Sequence, residues 1–160
     1  MSRLSLTSVT VKVPAKVNLQ LAVGPLETDG FHNLVTVFQA ISIYDEVTIR
    51  KSDPGSGVTI SIVGDHVHGV PADDTNLAVK AAQLLAKSFE IEIDVHIEVN
   101  KTIPVAGGMA GGSADAAAVI VGINDLYNLD MTRDEMLNLG AQLGSDVPFM
   151  INGGTAIGQG

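Results

Sequence analysis

Four glycines lie within six residues near the middle of the chain, at Gly107, Gly108, Gly111 and Gly112, and Ser113 closes the stretch. Glycine lets a backbone turn through positive φ and come close to a ligand. Where such a loop leads into a helix, the free N–H groups of the first helical turn point at the space that the loop encloses. An anion, most often phosphate, suits that place. The stretch therefore predicts a phosphate-binding loop, since an ordinary tight connection would need only one or two glycines.

Two common phosphate loops do not fit these residues. A Walker loop requires Gly-Lys-Ser/Thr at the start of the helix, but Ser113 follows Gly112 with no lysine. The dinucleotide-binding spacing Gly-x-Gly-x-x-Gly fails because Gly107 and Gly108 are adjacent. The pattern that fits is Pro-x-x-x-Gly-Met/Leu-x-Gly-Gly-Ser, which begins at Pro104.

A single carboxylate lies in an apolar stretch near the C-terminus. Asp146 is the only acidic residue after Glu135, and it is followed by Val147, Pro148 and Phe149. A carboxylate in such surroundings is costly without a cationic partner. Asp146 is therefore a candidate for proton transfer, with a buried structural ion pair as the alternative interpretation.

The elements that must position these residues are strands followed by helices. Alternating apolar and polar residues predict strands at 9–13, 17–23, 35–43, 47–49 and 58–63, arranged as an antiparallel meander with a tight connection near Asp45. Asn76 and its neighbours predict the start of a helix from Leu77 to about Ser88. Further patterns predict a strand at 91–99 with Lys101 just past its end, a helix at 113–127, a helix beginning at Thr132 and a last strand at 155–160.

Composition narrows the classes of function. The 160 residues fit one domain or a tight pair of subdomains. A formal charge of −9 opposes nucleic acid and anionic membranes as partners, because either would need a basic face. The absence of cysteine excludes disulfides and thiolate nucleophiles. No signal peptide or membrane helix is evident in the sequence, which favours a cytoplasmic protein.

Four segments in register together resemble the GHMP kinase superfamily. They are the glycine loop, the segment from Pro14 to Leu19 (Pro-x-Lys-x-Asn-Leu), the segment from Asp29 to His32 with 36–39, and the segment from Gly144 to Phe149 (Gly-x-Asp-Val-Pro-Phe). The third and fourth resemble members that act on 4-diphosphocytidyl-2-C-methyl-D-erythritol. The resemblance implies an α+β fold like domain 2 of ribosomal protein S5, with a mixed or antiparallel sheet packed on helices and a left-handed βαβ unit. It also implies that residues 1–160 are the N-terminal, ATP-binding domain, without the C-terminal domain of the superfamily.

The resemblance assigns a role to each candidate residue, with ATP and Mg²⁺ as cofactors. Asp146 would take the proton of the substrate hydroxyl, and Lys16 would keep that carboxylate ionised and stabilise the attacking oxygen. Phe31 would stack on cytosine, His32 would hydrogen-bond its edge and Asn18 would add a substrate contact. This chain has Phe31 where the related enzymes have tyrosine. Ser113 would contact the β-phosphate or Mg²⁺. The implied nucleotide-binding residues are Asn76, Lys101, Pro104, Val105, Ala106, Gly107, Gly108, Met109, Ala110, Gly111, Gly112, Ser113 and Ala114.

The expected function is ATP-dependent phosphorylation of the free 2-hydroxyl of a cytidyl diphosphate sugar-alcohol, in non-mevalonate isoprenoid biosynthesis. A homoserine or mevalonate type of kinase is the alternative within the superfamily. A third possibility is a catalytically incompetent fragment, since residues 1–160 alone are expected to bind substrate weakly. A non-catalytic RNA-binding module would have the same fold, but the acidic excess opposes it.

Overall fold

The structure is a computed structural model that describes residues 6–26 and 32–159. Five strands and four helices occupy these residues. In chain order they are β1 (Ser8–Leu26), β2 (His32–Lys51), β3 (Val58–Gly64), α1 (Leu77–Phe89), β4 (Val95–Lys101), α2 (Gly111–Tyr127), α3 (Arg133–Leu143), α4 (Val147–Asn152) and β5 (Thr155–Gln159).

The strands form one mixed sheet in the order β1-β2-β4-β3, and β5 also pairs with β2. β1 and β2 run antiparallel over most of their length. β3 and β4 are parallel, and α1 makes the crossover between them. The predicted α+β class, a mixed sheet packed on helices, is confirmed.

Several predicted strand limits are wrong. The sequence predicts separate strands before and after Pro14, but both belong to one strand, β1. The pairing of β1 with β2 shifts in register between Pro14 and Ala15. Asp45 lies inside β2 opposite Val13 and is fully buried, so no tight connection exists there. β3 is bonded to β4 and not to β2, and the meander therefore ends after two strands.

The helices follow the prediction more closely. Asn76 caps α1, and Thr132 opens α3 with a reciprocal capping box to Glu135. α2 begins at Gly111, two residues earlier than predicted, and the short helix α4 was not predicted. β4 begins at Val95 and includes Lys101 as its last residue.

The core lies between the sheet and helices α1 and α2. Ile49 and Ile97 of the sheet and Leu85 and Ile120 of the helices are fully buried. α2 approaches β2 so closely that a Cβ on Gly122 would lie 2.5 Å from Ile49 Cδ1. This contact fixes the height of α2 above the sheet, and with it the position of the glycine loop. No helix within residues 6–26 and 32–159 is long and apolar enough to cross a membrane.

Candidate active site

The glycine loop borders a cavity of about 360 Å³ at the N-terminus of α2. Ala106, Gly108 and Ala110 all have positive φ, which folds the loop back over this cavity. Ala110 occupies the N-cap position without a side-chain cap, so the N–H groups of the first turn keep their hydrogen-bonding capacity for a ligand. Of the predicted nucleotide-binding residues, the cavity is lined by Asn76, Lys101, Pro104, Val105, Ala106, Gly107, Gly108, Met109, Ala110, Gly111 and Gly112. Ser113 and Ala114 lie outside that lining.

The space in front of the loop is open. A Cβ added to Gly108 or Gly112 would meet no atom within 4 Å, so both residues face open space. Gly111 faces inward instead, where a Cβ would lie 3.0 Å from Lys101 Nζ. Backbone amides around an open, glycine-lined space are suited to anionic oxygens.

Asn76, predicted near the adenine, has its side-chain amide engaged within the protein. Its Oδ1 accepts the N–H of Ala78 at 2.9 Å, and its Nδ2 donates to the carbonyl of Pro71 at 2.7 Å. These bonds fix the residue in the cavity wall. Any contact with a base must therefore use the remaining hydrogen-bonding capacity of this amide.

A buried charge cluster lies beneath the loop. Lys101 Nζ donates to Asp45 Oδ2 at 2.5 Å and to Asp115 Oδ2 at 2.9 Å. Asp45 Oδ1 accepts the backbone N–H groups of Thr102 and Ile103 at 2.6 and 2.8 Å. The cluster ties together β2, β4 and α2, and it places Lys101 between two carboxylates.

The three charges of this cluster do not balance. Burial raises the pKa of Asp115 to about 7, although the Lys101 ammonium acts in the opposite direction. Burial also acts to lower the pKa of Lys101, but Asp115 and Asp45 outweigh it and raise that pKa above its ordinary value. Asp115 Oδ1 is buried and has no hydrogen-bond partner among the described residues. Burial therefore favours a proton on Asp115 at pH values below about 7.

The predicted catalytic pair meets beside the loop. Lys16 Nζ lies 4.0 Å from Asp146 Oδ2. Lys16 is buried, with 6% of its surface exposed, whereas the Asp146 side chain is 32% exposed. Lys16 Nζ also lies 5.2 Å from the centre of the Phe38 ring, over its face. The pair thus has one buried cation and one carboxylate open to a substrate.

A backbone bond joins this pair to the loop. The N–H of Lys16 in β1 donates to the carbonyl of Met109 at 3.2 Å. Asp146 immediately precedes α4, at its N-cap position. β1, the glycine loop and α4 therefore converge on one place.

The predicted substrate residues are only partly described. Phe31 lies outside the described residues, and His32 is the first residue of β2, where only its backbone is described. The Asn18 side chain is held between two neighbours: its Oδ1 accepts from Lys16 Nζ at 2.7 Å, and its Nδ2 donates to Thr36 Oγ1 at 2.6 Å.

Comparison with known proteins agrees with this architecture. Residues 76–154 match the family described as GHMP kinases N terminal domain. The chain is 54% identical to 4-diphosphocytidyl-2-C-methyl-D-erythritol kinase of Kineococcus radiotolerans, over 97% of this chain and 48% of that protein. It is 57% identical to the protein of the same name from Thermobifida fusca, over 96% of this chain and 52% of that protein. Residues 76–154 therefore carry a GHMP kinases N terminal domain, and the chain as a whole is similar to GHMP kinases.

A solved structure extends the likeness from sequence to fold. The crystal structure of a 4-(cytidine 5'-diphospho)-2C-methyl-D-erythritol kinase superposes with a TM-score of 0.75 and 32% identity, covering 95% of this chain and 52% of that one. The mevalonate kinase of Methanococcus jannaschii, at 16% identity and a TM-score of 0.70, shares the fold. The chain spans about half the length of the curated relatives it matches.

Sequence reasoning missed two residues of the buried charge cluster, Asp45 and Asp115. Asp45 interrupts a run of strand residues, which suggested a turn, and Asp115 follows Ala114 at the end of the glycine loop. Their shared partner, Lys101, is 56 residues from Asp45 along the chain. A carboxylate inside a strongly apolar strand was the available signal, because such a group requires a buried partner.

Proposed function

We propose that this chain supplies the ATP site and the catalytic pair of a kinase that phosphorylates the free 2-hydroxyl of 4-diphosphocytidyl-2-C-methyl-D-erythritol. The observation that carries the proposal is the convergence of Lys16 and Asp146 beside the glycine loop, with the Lys16 N–H bonded to Met109. The names of relatives at 54% and 57% identity support the choice of substrate.

The glycine loop would hold the phosphates of ATP. Backbone N–H groups of residues 105–113 would donate to phosphate oxygens, as the open space at Gly108 and Gly112 allows. The predicted donor Ala114 is excluded, because its N–H already donates to the carbonyl of Ala110 at 2.8 Å. Lys101 and Asn76 would lie toward the adenine end of the cavity, whose wall includes both.

Mg²⁺ fits as a companion of the phosphates. Among the described residues, no group of three or more acidic or histidine side chains could hold a metal by itself. This suits Mg²⁺, which keeps several waters and is often bound through phosphates with few protein ligands. Ser113 would supply the hydroxyl contact to the β-phosphate or the metal. The ion would neutralise charge on the transferred phosphoryl group.

Asp146 would accept the proton of the substrate hydroxyl. The hydroxyl oxygen would then form its bond to the γ-phosphorus while the bond to the diphosphate breaks and ADP leaves. Lys16, 4.0 Å from Asp146, would keep the carboxylate ionised and stabilise the attacking oxygen.

The cytidine part of the substrate would be recognised by the segment that leads into β2. Phe31 would stack on the base, and His32 would hydrogen-bond its edge. Asn18, already bonded to Lys16, would bring the substrate next to the catalytic pair.

The test is a coupled ATPase assay with and without the cytidyl substrate, on the natural full-length polypeptide. In that polypeptide, Asp146→Asn is expected to lower kcat by about 10²–10⁴-fold, since it removes the general base, while ATP binding is retained. Asp53→Asn, in an exposed turn, is the matched control and should leave turnover unchanged. Near-normal turnover by Asp146→Asn would refute the role of Asp146, and turnover with mevalonate or homoserine alone would refute the substrate.

A further inference from the structure

A buried hydroxyl lies two hydrogen bonds away from the catalytic pair. Thr36, in β2, is 6% exposed. Its Oγ1 donates to the backbone carbonyl of Gln20 at 2.8 Å and accepts from Asn18 Nδ2 at 2.6 Å. Asn18 Oδ1 in turn accepts from Lys16 Nζ at 2.7 Å. Three side chains thus form a continuous path from the wall of β2 to the ammonium.

The direction of every bond in this path is fixed by donor and acceptor chemistry. A hydroxyl has a single hydrogen, and the carbonyl of Gln20 can only accept it. Thr36 Oγ1 can therefore only accept from Asn18, so the amide must turn its NH₂ group toward Thr36. That orientation leaves Asn18 Oδ1 facing Lys16, whose ammonium can only donate. The opposite orientation would put an NH₂ group against the ammonium and an oxygen against an oxygen that has no hydrogen left.

The ammonium depends on this bond for its position. Asn18 Oδ1 lies 2.7 Å from Lys16 Nζ, whereas Asp146 Oδ2 lies at 4.0 Å. The tighter contact is the one to the amide. The Phe38 ring supports the same ammonium without a directional bond. The amide of Asn18 is therefore the group that sets where the cation lies relative to Asp146.

We propose that Thr36 is a positioning residue for phosphoryl transfer: its hydroxyl orients the Asn18 amide, which holds the Lys16 ammonium against Asp146. This inference rests on the proposed function. It assigns to Asn18 a second task besides contact with substrate, and it gives Thr36 an effect on the reaction without contact with either reactant.

The test uses two substitutions of Thr36 in the complete natural polypeptide. Thr36→Val keeps the shape of the side chain and removes the hydroxyl, and is expected to lower kcat about tenfold, as loss of a hydrogen bond to the charged network predicts. The KM for ATP should not change, because the glycine loop is untouched. Thr36→Ser restores the hydroxyl and should recover kcat to within about twofold. Thr48→Val is the control, since its hydroxyl bonds Thr10 at the other end of β2.

A double-mutant cycle keeps the inference falsifiable if Thr36→Val unfolds at assay temperature. At a temperature where each variant retains its native circular dichroism, Asn18→Ala and Asn18→Ala with Thr36→Ala are compared with Thr36→Ala alone. If the path acts as a unit, removal of the Thr36 hydroxyl lowers kcat in the presence of Asn18 and has no further effect once Asn18 is removed. A wild-type kcat for Thr36→Val would overturn the role of Thr36. A fall in kcat matched by an equal rise in the KM for ATP would also overturn it, if Thr36→Ser restored neither constant. Lack of cytidyl-dependent turnover by the wild-type protein would instead overturn the proposed function.

Discussion

Asp115 is the residue whose protonation distinguishes the buried cluster from an ordinary ion pair. It shares Lys101 with Asp45 and has one oxygen without a partner among the described residues. Because burial raises its pKa from 3.8 to about 7, the folded chain binds a proton between these pH values that the unfolded chain has released. The stability that this proton contributes is complete below about pH 4 and is lost as the pH rises through about 7.

Asp115→Asn should remove this pH dependence. The amide stays neutral at every pH, so the free energy of unfolding of the variant should fall less than that of the wild type between pH 5 and pH 8. Urea unfolding at four pH values in that interval measures the difference. Parallel curves for the two proteins would mean that Asp115 is ionised throughout. The exposed Asp53→Asn variant controls for the change in net charge.

At the scale of elements, β5 packs closely against the Phe38 and Thr36 side chains of β2. A Cβ on Gly158 would lie 2.6 Å from Phe38 Cε2 and 3.0 Å from Thr36 Cγ2. Phe38 cannot simply retreat, because its ring packs on Phe149 at 5.0 Å between centroids and supports Lys16. Gly158, which is paired with Thr36, therefore leaves room for the Thr36 and Phe38 side chains beside β5.

Gly158→Ala is expected to shift the Phe38 ring and to cost about 1–3 kcal/mol of stability, as overpacking does. Turnover should fall because the ring lies under the Lys16 ammonium, while nucleotide affinity should be retained. Thermal unfolding and calorimetric titration with ADP measure these effects. Gln159→Ala, the exposed next residue of β5, is the control. Weakened ADP binding with unchanged turnover would contradict the assignment of β5 to the catalytic side of the site.

Local signals predicted α1, α2 and α3 but not α4, and the pairing of the strands depended on long-range contacts that the sequence did not show. The helix caps at Asn76 and Thr132 can be predicted from the sequence, because the groups that form each cap lie within three residues of each other. Pro14 suggested the end of a strand, but β1 is at the edge of the sheet, where a missing N–H is tolerated. Lys16 and Asp146 were identified from motifs and are confirmed as neighbours. The partners of Lys101 depend on the register of β2 with β4, which no short pattern encodes.

At the scale of the whole molecule, the cavity joins parts that are distant in the chain. Its wall includes Pro71 before α1, Lys101 at the end of β4 and the start of α2. A ligand that bridges these parts binds only the folded chain. It therefore stabilises that chain by mass action.

ADP with Mg²⁺ is expected to raise the unfolding temperature of this chain in a concentration-dependent way, with about 2.7 kcal/mol of stabilisation at a hundred times its Kd. Adenosine should give a much smaller shift at the same concentration, because it lacks the groups that the glycine loop would hold. Differential scanning fluorimetry compares the two. Equal shifts by adenosine and ADP would show that the loop contributes nothing to affinity.

The bond from the Lys16 N–H to the Met109 carbonyl uses the main chain alone. Every replacement of Lys16 except proline keeps that N–H, so the tether between β1 and the glycine loop is independent of the side chain that supplies the cation. A substitution of Lys16 can therefore remove the charge without changing the shape of the glycine loop. A Lys16→Ala protein would keep its nucleotide receptor while losing the means to consume the nucleotide, which makes it suited to capturing both substrates unreacted in a crystal.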